Sequence, residues 1–203
     1  MLKLYDANIS GNCYKIKVLL SFLNLDYEII SIDLFKRQQK SAEFIALNEF
    51  GQVPVLVDGN ETIRDSQAIL FYLASRYDDG TWLPKDAVAQ AKVIQWLSIA
   101  ANEIFNSFAM ARVYYLLNRT EIDVERATLR AHALLKTLDQ HLTTRQWLEF
   151  ERPTIADIAC FPYISMANEG QISLEDYPHV CTWLDRFKQL QRYVDLPRSR
   201  TFQ

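Results

Sequence analysis

The sequence predicts an α/β domain followed by an all-helical domain, and three observations carry that reading. Near the amino terminus a strand-like run, a helical run and a second strand-like run follow one another at the spacing of a βαβ unit. Two more strand-like runs flank an Asp-Gly-Asn turn and lead into a further helix. From Asp86 onward strand signals disappear and only helical periodicity remains.

Leu2 to Tyr5 reads as the first strand, and Tyr14 to Leu23 as a helix with Ile16, Leu19, Leu20 and Leu23 at helical spacing. Tyr27 to Ile32 reads as the second strand, and a strand, helix, strand order of this length implies a right-handed parallel crossover. Ser41 to Leu47 is a short helix. Val55 to Val57 and Thr62 to Arg64 form a hairpin around Asp58-Gly59-Asn60, and Ser66 to Tyr77 is the next helix. Asp78-Asp79-Gly80-Thr81-Trp82-Leu83-Pro84 ends it with polar residues, a glycine and a proline, so the linker belongs there. The first domain is therefore placed at residues 1–78 and the second at 86–203. In the second, helices are expected over Val88 to Leu117, Asp123 to Leu142, Thr154 to Asn168 and Pro178 to Leu190, with no internal repeat.

Composition narrows the function classes. With 49% hydrophobic and 23% charged residues and only 5 Gly and 6 Pro in 203, the chain is an ordinary folded protein that leans towards helix. A formal net charge of −3 argues against a general nucleic-acid binder, and Arg192, Arg198 and Arg200 in the tail are too few to reverse that. Cys13, Cys160 and Cys181 are odd in number and lack paired or metal-site spacing, so neither a disulfide framework nor a metal site is expected, and a reducing cytoplasm fits best. The chain opens on strand-like residues with no apolar leader, and no run of about eighteen apolar residues suggests a membrane span.

Two strings carry the chemistry. Val53-Pro54 inside an apolar run implies an edge strand or a special turn, because proline gives no N–H to a ladder, and X-Pro is where cis bonds occur. Twelve residues later Ser66 opens a helix with Ala68, Ile69, Leu70, Tyr72 and Leu73, whose first N–H groups can hold a carboxylate. Taken alone, Asp65-Ser66 is also an ordinary helix cap.

The order Ser10-Gly11-Asn12 after the first strand, Gly51-Gln52-Val53-Pro54-Val55-Leu56, and Asp65-Ser66-Gln67-Ala68-Ile69 resembles the thioredoxin-like domain of cytosolic glutathione transferases. Thr154-Ile155-Ala156-Asp157, followed by Ile158 and Ala159, resembles the capping box of that family's helical domain. The resemblance is to a bacterial, serine-type, theta- or nu-like member, and it runs along nearly the whole chain. It implies a thioredoxin-like N-terminal domain plus an all-α C-terminal domain, glutathione as co-substrate, and no metal.

It also implies roles for residues. Ser10 would orient and stabilise the glutathione thiolate with help from Asn12, since the thiolate is the nucleophile and a thiol of ordinary pKa is mostly protonated at neutral pH. The Val53 backbone, held by a cis Val53-Pro54 bond, would pair with the cysteinyl part of the peptide. Ser66 would take the γ-glutamyl carboxylate and Asp65 the α-amine, with Gln52 assisting and Gln39 or Lys40 meeting the glycyl carboxylate. The electrophile site is expected between Ile9 and the long helix, with Phe105, Phe108, Arg112 and Tyr115 as candidates, although an aromatic stripe at this spacing is more often core.

Rival readings are weaker. Tyr5 is a candidate hydroxyl, but aligning the first helix and Pro54 puts Asp6 in the place of the family's catalytic tyrosine, and a one-residue shift turns Tyr5 to the other face. Tyr14 is a lesser candidate. Cys13 completes Ser10-Gly11-Asn12-Cys13 where oxidoreductases of this fold carry Cys-x-x-Cys, but serine stands at the reactive position, so Cys13 is expected to be buried and inert, with mixed-disulfide chemistry as the alternative. Cys160 and Cys181 are expected in the core. His132, His141 and His179 are scattered and expected to be packing or surface residues.

The expected function is a cytoplasmic glutathione transferase of the detoxifying kind, acting on small hydrophobic electrophiles, with peroxidase or disulfide reductase activity as relatives of that reaction. A non-catalytic module of the same fold that contacts a larger protein is the alternative. Phe50, next to Gly51, is expected to help form a homodimer, against the reading in which it folds onto its own domain.

Overall fold

The structure, a computed structural model, describes residues 1–196. They form two compact units, one made of Met1–Asp79 with the stretch from Gln191 onward, the other of Gly80–Leu190.

The first unit runs β1 (Leu2–Asp6), α1 (Gly11–Phe22), β2 (Tyr27–Ser31), a 3-10 turn (Gln38–Lys40), α2 (Ala42–Leu47), β3 (Val55–Asp58), β4 (Glu61–Arg64) and α3 (Ser66–Tyr77). The sheet order is β2-β1-β3-β4, with β1 parallel to β2 and antiparallel to β3, and β3 antiparallel to β4. This is the thioredoxin-like layout. Leu2, Leu4 and Asp6 of β1 point inward while Lys3 is exposed, the period-two signature of a strand. Helix α1 buries Cys13, Tyr14, Ile16, Val18, Leu19 and Leu20 completely, and it begins three residues earlier than its apolar pattern suggests because Ser10 caps it. Tyr5 packs edge-on against Phe44 of α2, with ring centroids 6.1 Å apart.

The tail departs from the expected division at 86–203. Its backbone accepts from α1, through the Tyr14 hydroxyl at Val194 C=O and the Ser21 hydroxyl at Arg192 C=O (2.9 Å), and Arg192 donates to Asn24 Oδ1. The stretch from Gln191 thus belongs with the first unit. Arg198 and Arg200 lie outside the described residues.

The second unit contains α4 (Ala87–Ile99), a π-helical segment (Ala100–Ala109), α5 (Met110–Leu117), α6 (Val124–Leu142), α7 (Ile155–Ser165), a 3-10 turn (Ala167–Gly170) and α8 (Pro178–Lys188). The backbone stays right-handed helical at Ile99, Ala100, Ala109 and Met110, so residues 87–117 form one continuous rod whose middle is wound more loosely. Helix α7 is buried from Ile155 to Ile164 and forms the centre of the unit. Thr154 and Asp157 close its start: Ala156 N–H donates to Thr154 Oγ1, and Asp157 Oδ2 accepts from Thr154 N–H. Asp157 Oδ1 accepts further from Leu148 N–H and Trp183 Nε1–H, so one buried carboxylate ties α7 to the preceding loop and to α8. No described helix is long and apolar enough to cross a membrane.

Candidate functional site

Strand register brings the predicted site residues of the first unit to one end of the sheet. Tyr5 of β1 sits opposite Val55 of β3, and Val55 opposite Arg64 of β4, so these three residues form a row. Chain direction then decides what lies beyond it: β1 leaves the row towards Ser10, β3 enters it from Val53-Pro54, and β4 leaves it towards Asp65-Ser66. Parallel β2 ends on the same side, with Ser31 opposite Asp6, and leads on to Gln39 and Lys40. The N-termini of α1 and α3 follow directly, which is the end of an open α/β sheet where ligands bind.

Ser10 is the N-cap of α1. Its Oγ accepts the Cys13 N–H at 3.2 Å, which leaves its own proton to give to a ligand. Asn12 Oδ1 accepts from Lys15 Nζ at 2.9 Å, an arrangement that leaves the Asn12 amide N–H groups as the donors on its other side. Cys13 is fully buried and its Sγ accepts from Ala7 N–H. Burial first, and the Asp6 carboxylate second, push its thiol up to about 12, which opposes a thiolate there. Asp6 itself is buried and ion-paired with Lys17 at 3.1 Å. Tyr14 is excluded as a catalytic hydroxyl, because burial raises its pKa and its proton goes to Val194 C=O.

The Val53-Pro54 bond is cis. Among the described residues the N–H and C=O of Val53 have no hydrogen-bond partner. An extended peptide can occupy both. The loop before it is organised by Asn48, a residue that the sequence reading did not single out. Asn48 is 3% exposed; its Nδ2 donates to Gln52 C=O (2.7 Å), its Oδ1 accepts from Phe50 N–H (3.1 Å), and its C=O accepts from Gly51 N–H (2.8 Å). Gly51 has φ +58°, and a Cβ there would stand 2.7 Å from Gln39 C=O and from Lys40 Nζ. Lys40 Nζ donates to Phe50 C=O at 2.9 Å, so part of its donor capacity holds this loop. Gln39 Oε1 is buried without a partner among the described residues, and the Gln52 side chain is exposed.

Asp65 caps α3 with φ +72° and ψ 128°, a conformation that costs an L-residue free energy. Its Oδ1 accepts from Gln67 N–H (2.9 Å) and Ala68 N–H (3.0 Å), leaving Oδ2 for a cation. Ser66 is 4% exposed, and among the described residues neither its hydroxyl nor its N–H has a partner. The strained turn therefore presents a carboxylate oxygen and an unpaired N–H and hydroxyl side by side, which suits the two charges of an amino acid's α-carbon.

The residues predicted for the electrophile divide between the units. Ile9 is half-buried in the β1–α1 loop. In the helical unit Phe108 is 1% exposed, Arg112 is buried in an ion pair with Glu169, Phe105 is half-buried, and Tyr115 is 40% exposed. Of those helical residues Tyr115 is the most open. His132 Nδ1 meets Tyr177 Oη at 2.9 Å and His141 Nε2 meets Leu148 C=O at 2.6 Å, both packing roles. Cys160 is buried, whereas Cys181 is only half-buried on α8 rather than in the core. Among the described residues no group of three or more His, Cys, Asp or Glu is placed to hold a metal ion.

Residues 1–75 match the family model for the glutathione S-transferase N-terminal domain, and residues 90–191 that for its C-terminal domain. The chain is 35% identical to Glutathione S-transferase 3 of Zea mays over 193 residues, covering 90% of this chain and 86% of the relative. It is 31% identical to the disulfide-bond oxidoreductase YfcG of Escherichia coli over 204 residues, covering 93% and 90%. A crystal structure of a glutathione transferase family member from Pseudomonas fluorescens with two glutathione bound superposes with a TM-score of 0.85 at 28% identity, covering 94% of this chain and 89% of that one. The fold and these matches agree along the length of the chain, which belongs to the glutathione S-transferase family.

Proposed function

We propose that the chain is a serine-type glutathione transferase whose first unit binds glutathione at the end of the sheet and activates its thiol. One observation carries this reading: Ser10, the open Val53 backbone and the Asp65-Ser66 turn, three separate stretches of sequence, each keep unpaired polar groups at the same end of one sheet. Val53 N–H and C=O pair with the cysteinyl residue. Ser66 takes the γ-glutamyl carboxylate through its N–H and hydroxyl, Asp65 Oδ2 takes the α-amine, and Gln39, Lys40 and Gln52 serve the glycyl end. The thiol then lies at Ser10, whose O–H is directed to sulfur because its oxygen is already used by Cys13 N–H, with the Asn12 amide as a second donor. That donor and the start of α1 favour the thiolate over the thiol, and the thiol proton leaves to solvent. The thiolate forms a bond to an electrophilic carbon, and the electron pair goes to a leaving group or to a centre that water protonates.

A second reading is disulfide reduction, favoured by the likeness to a disulfide-bond oxidoreductase and by the two glutathiones in the Pseudomonas relative. Since Cys13 is buried with its thiol at about 12, both sulfurs come from glutathione. One thiolate attacks the disulfide and releases a thiolate, and a second attacks the mixed disulfide to give oxidised glutathione and the reduced product. We place the protein in the cytoplasm as a homodimer. Phe50 is 57% exposed, with the Arg64 guanidinium 4.5 Å over its ring, and so presents an aromatic to a partner subunit. The test is retention on immobilised glutathione with competitive elution, followed by turnover with a panel of electrophiles, peroxides and mixed disulfides. Retention with turnover supports the enzyme, and the preferred panel member chooses between the two reactions. Failure to bind glutathione leaves the non-catalytic, protein-binding module.

A further inference from the structure

We propose that the helical unit carries a separate site for a small phosphorylated sugar or polyol, in an open surface cavity of about 310 Å³ where the end of α6 meets α8. Arg145, Arg186, His179, Thr143, Thr144 and Thr182 line it, with no acidic residue among the lining side chains of a chain whose net charge is −3. On the two helices Asp139 Oδ1 accepts from His179 N–H (2.8 Å) and Val180 N–H (3.0 Å), and Asp185 pairs with Lys188 at 3.0 Å.

Hydrogen bonding assigns the parts of the ligand. Arg186 is held in place, with Nη1 on Gln146 C=O at 2.6 Å and its guanidinium 5.8 Å from the Trp147 ring centre, and its other N–H groups remain as donors. The Arg145 side chain has no partner among the described residues, and the Thr144 hydroxyl likewise. Two guanidinium groups, one of them fixed, match the planar, multidentate demand of a phosphoryl group better than a single carboxylate's two oxygens. Thr143 and Thr182 differ from Thr144, because their protons are already given to Gln140 C=O (2.8 Å) and Pro178 C=O (2.8 Å). They face the cavity as acceptors, and acceptors call for ligand O–H groups. The volume equals about ten waters, enough for a phosphate with a short hydroxylated chain or ring. Leu142 is the one large apolar residue in the lining, and no Phe, Tyr or Trp is among the lining residues, so a broad stacking face for a nucleobase is lacking. The C-terminus of α6 is the negative end of its dipole, which the two guanidinium groups must outweigh; Gln140 C=O and Leu142 C=O accept from Thr143 and Arg145 N–H, both at 3.4 Å.

The experiment is isothermal titration calorimetry of the full chain at fixed ionic strength with inorganic phosphate, glucose 6-phosphate and glucose. The expected result is saturable binding of glucose 6-phosphate, weaker binding of phosphate and none of glucose. Arg145→Ala, an exposed residue with no partner to lose, should weaken both anions by about ten- to a hundredfold with an unchanged melting temperature. Thr182→Val should weaken the sugar phosphate and leave phosphate unchanged. Absence of saturable binding by either anion, or equal affinity in parent and Arg145→Ala, overturns the site and leaves Arg145 as a charge at the end of α6. Equal affinity for phosphate and glucose 6-phosphate overturns the polyol part.

Discussion

Replacing Asn48 with alanine removes two hydrogen bonds from the loop that presents Val53. Gln52 C=O loses its donor at 2.7 Å and Phe50 N–H its acceptor at 3.1 Å, in a site where Asn48 is 3% exposed and the loop is part-buried. Each such bond is worth about 0.5 to 1.5 kcal/mol net, so the loop loses about 1 to 3 kcal/mol of its preference for the bound-ready arrangement. In the proposed mode that loss appears as about a five- to hundredfold weaker glutathione complex. Asn48 touches neither end of the tripeptide nor its sulfur, so the pKa of bound thiol should not move. Asn48→Asp separates the two bonds, because it keeps the acceptor for Phe50 N–H and sets a carboxylate oxygen against Gln52 C=O. Calorimetry measures affinity, and ultraviolet titration of the thiolate measures the pKa. If Asn48→Ala binds glutathione like the parent at an unchanged melting temperature, loop order does not govern the site and the reasoning fails.

Ser66→Ala and Asp65→Ala should each weaken glutathione by about 1.5 to 3 kcal/mol in calorimetry, the worth of a hydrogen bond to a charged group, without altering the thiolate pKa. Unchanged affinity in both would remove the γ-glutamyl assignment. Asp157→Asn should lower stability, because a buried amide cannot accept from Leu148, Trp183 and Thr154 donors together. Burial raises the Asp157 carboxyl to about 6, against the pull of its three hydrogen bonds, so its contribution is fully present below the unfolded value of about 4 and is lost as pH rises through about 6. The deficit of Asp157→Asn in urea unfolding should therefore be larger in acid than at neutral pH, and equal deficits would contradict the assigned shift. Phe50→Ala should weaken a dimer measurably in sedimentation equilibrium, since burying this ring is worth about 1.5 to 3 kcal/mol per site. A parent that stays monomeric at micromolar concentration would remove the dimer itself.

Local chemistry made much of this legible in the sequence. Helix α3 lies at Ser66–Tyr77 as its apolar spacing predicts, and α2 begins immediately after Ser41, its cap. The capping box at Thr154 and Asp157 is present because its partners are three residues apart. What escaped depends on longer range or on subtler winding. Periodicity reads residues 88–117 as one helix but does not distinguish the π-wound stretch at its centre, whose apolar positions recur at nearly the same spacing. The tail's attachment to α1 joins residues some 170 or more positions apart, which no pattern within either segment announces. Asn48 could have been found: an asparagine three residues before a glycine can bond the N–H two residues on, as Oδ1 does with Phe50. Its second bond, to Gln52 C=O, and its burial needed the fold. Among the electrophile candidates, spacing could not give the rotation of the long helix, and so grouped buried Phe108 and ion-paired Arg112 with exposed Tyr115.

The most direct test of the central claim is the titration of glutathione bound to the parent and to Ser10→Ala, followed by thiolate absorbance. Ser10 also caps α1 through Cys13 N–H, so the variant should lose about 1 kcal/mol of stability, and the comparison is made well below its melting temperature. Loss of one preorganised donor to sulfur predicts a bound-thiol pKa about two units higher, turnover lower by about 10²-fold and nearly unchanged glutathione affinity. The same thiol pKa and the same turnover in both proteins would contradict the account and move the role to Asn12.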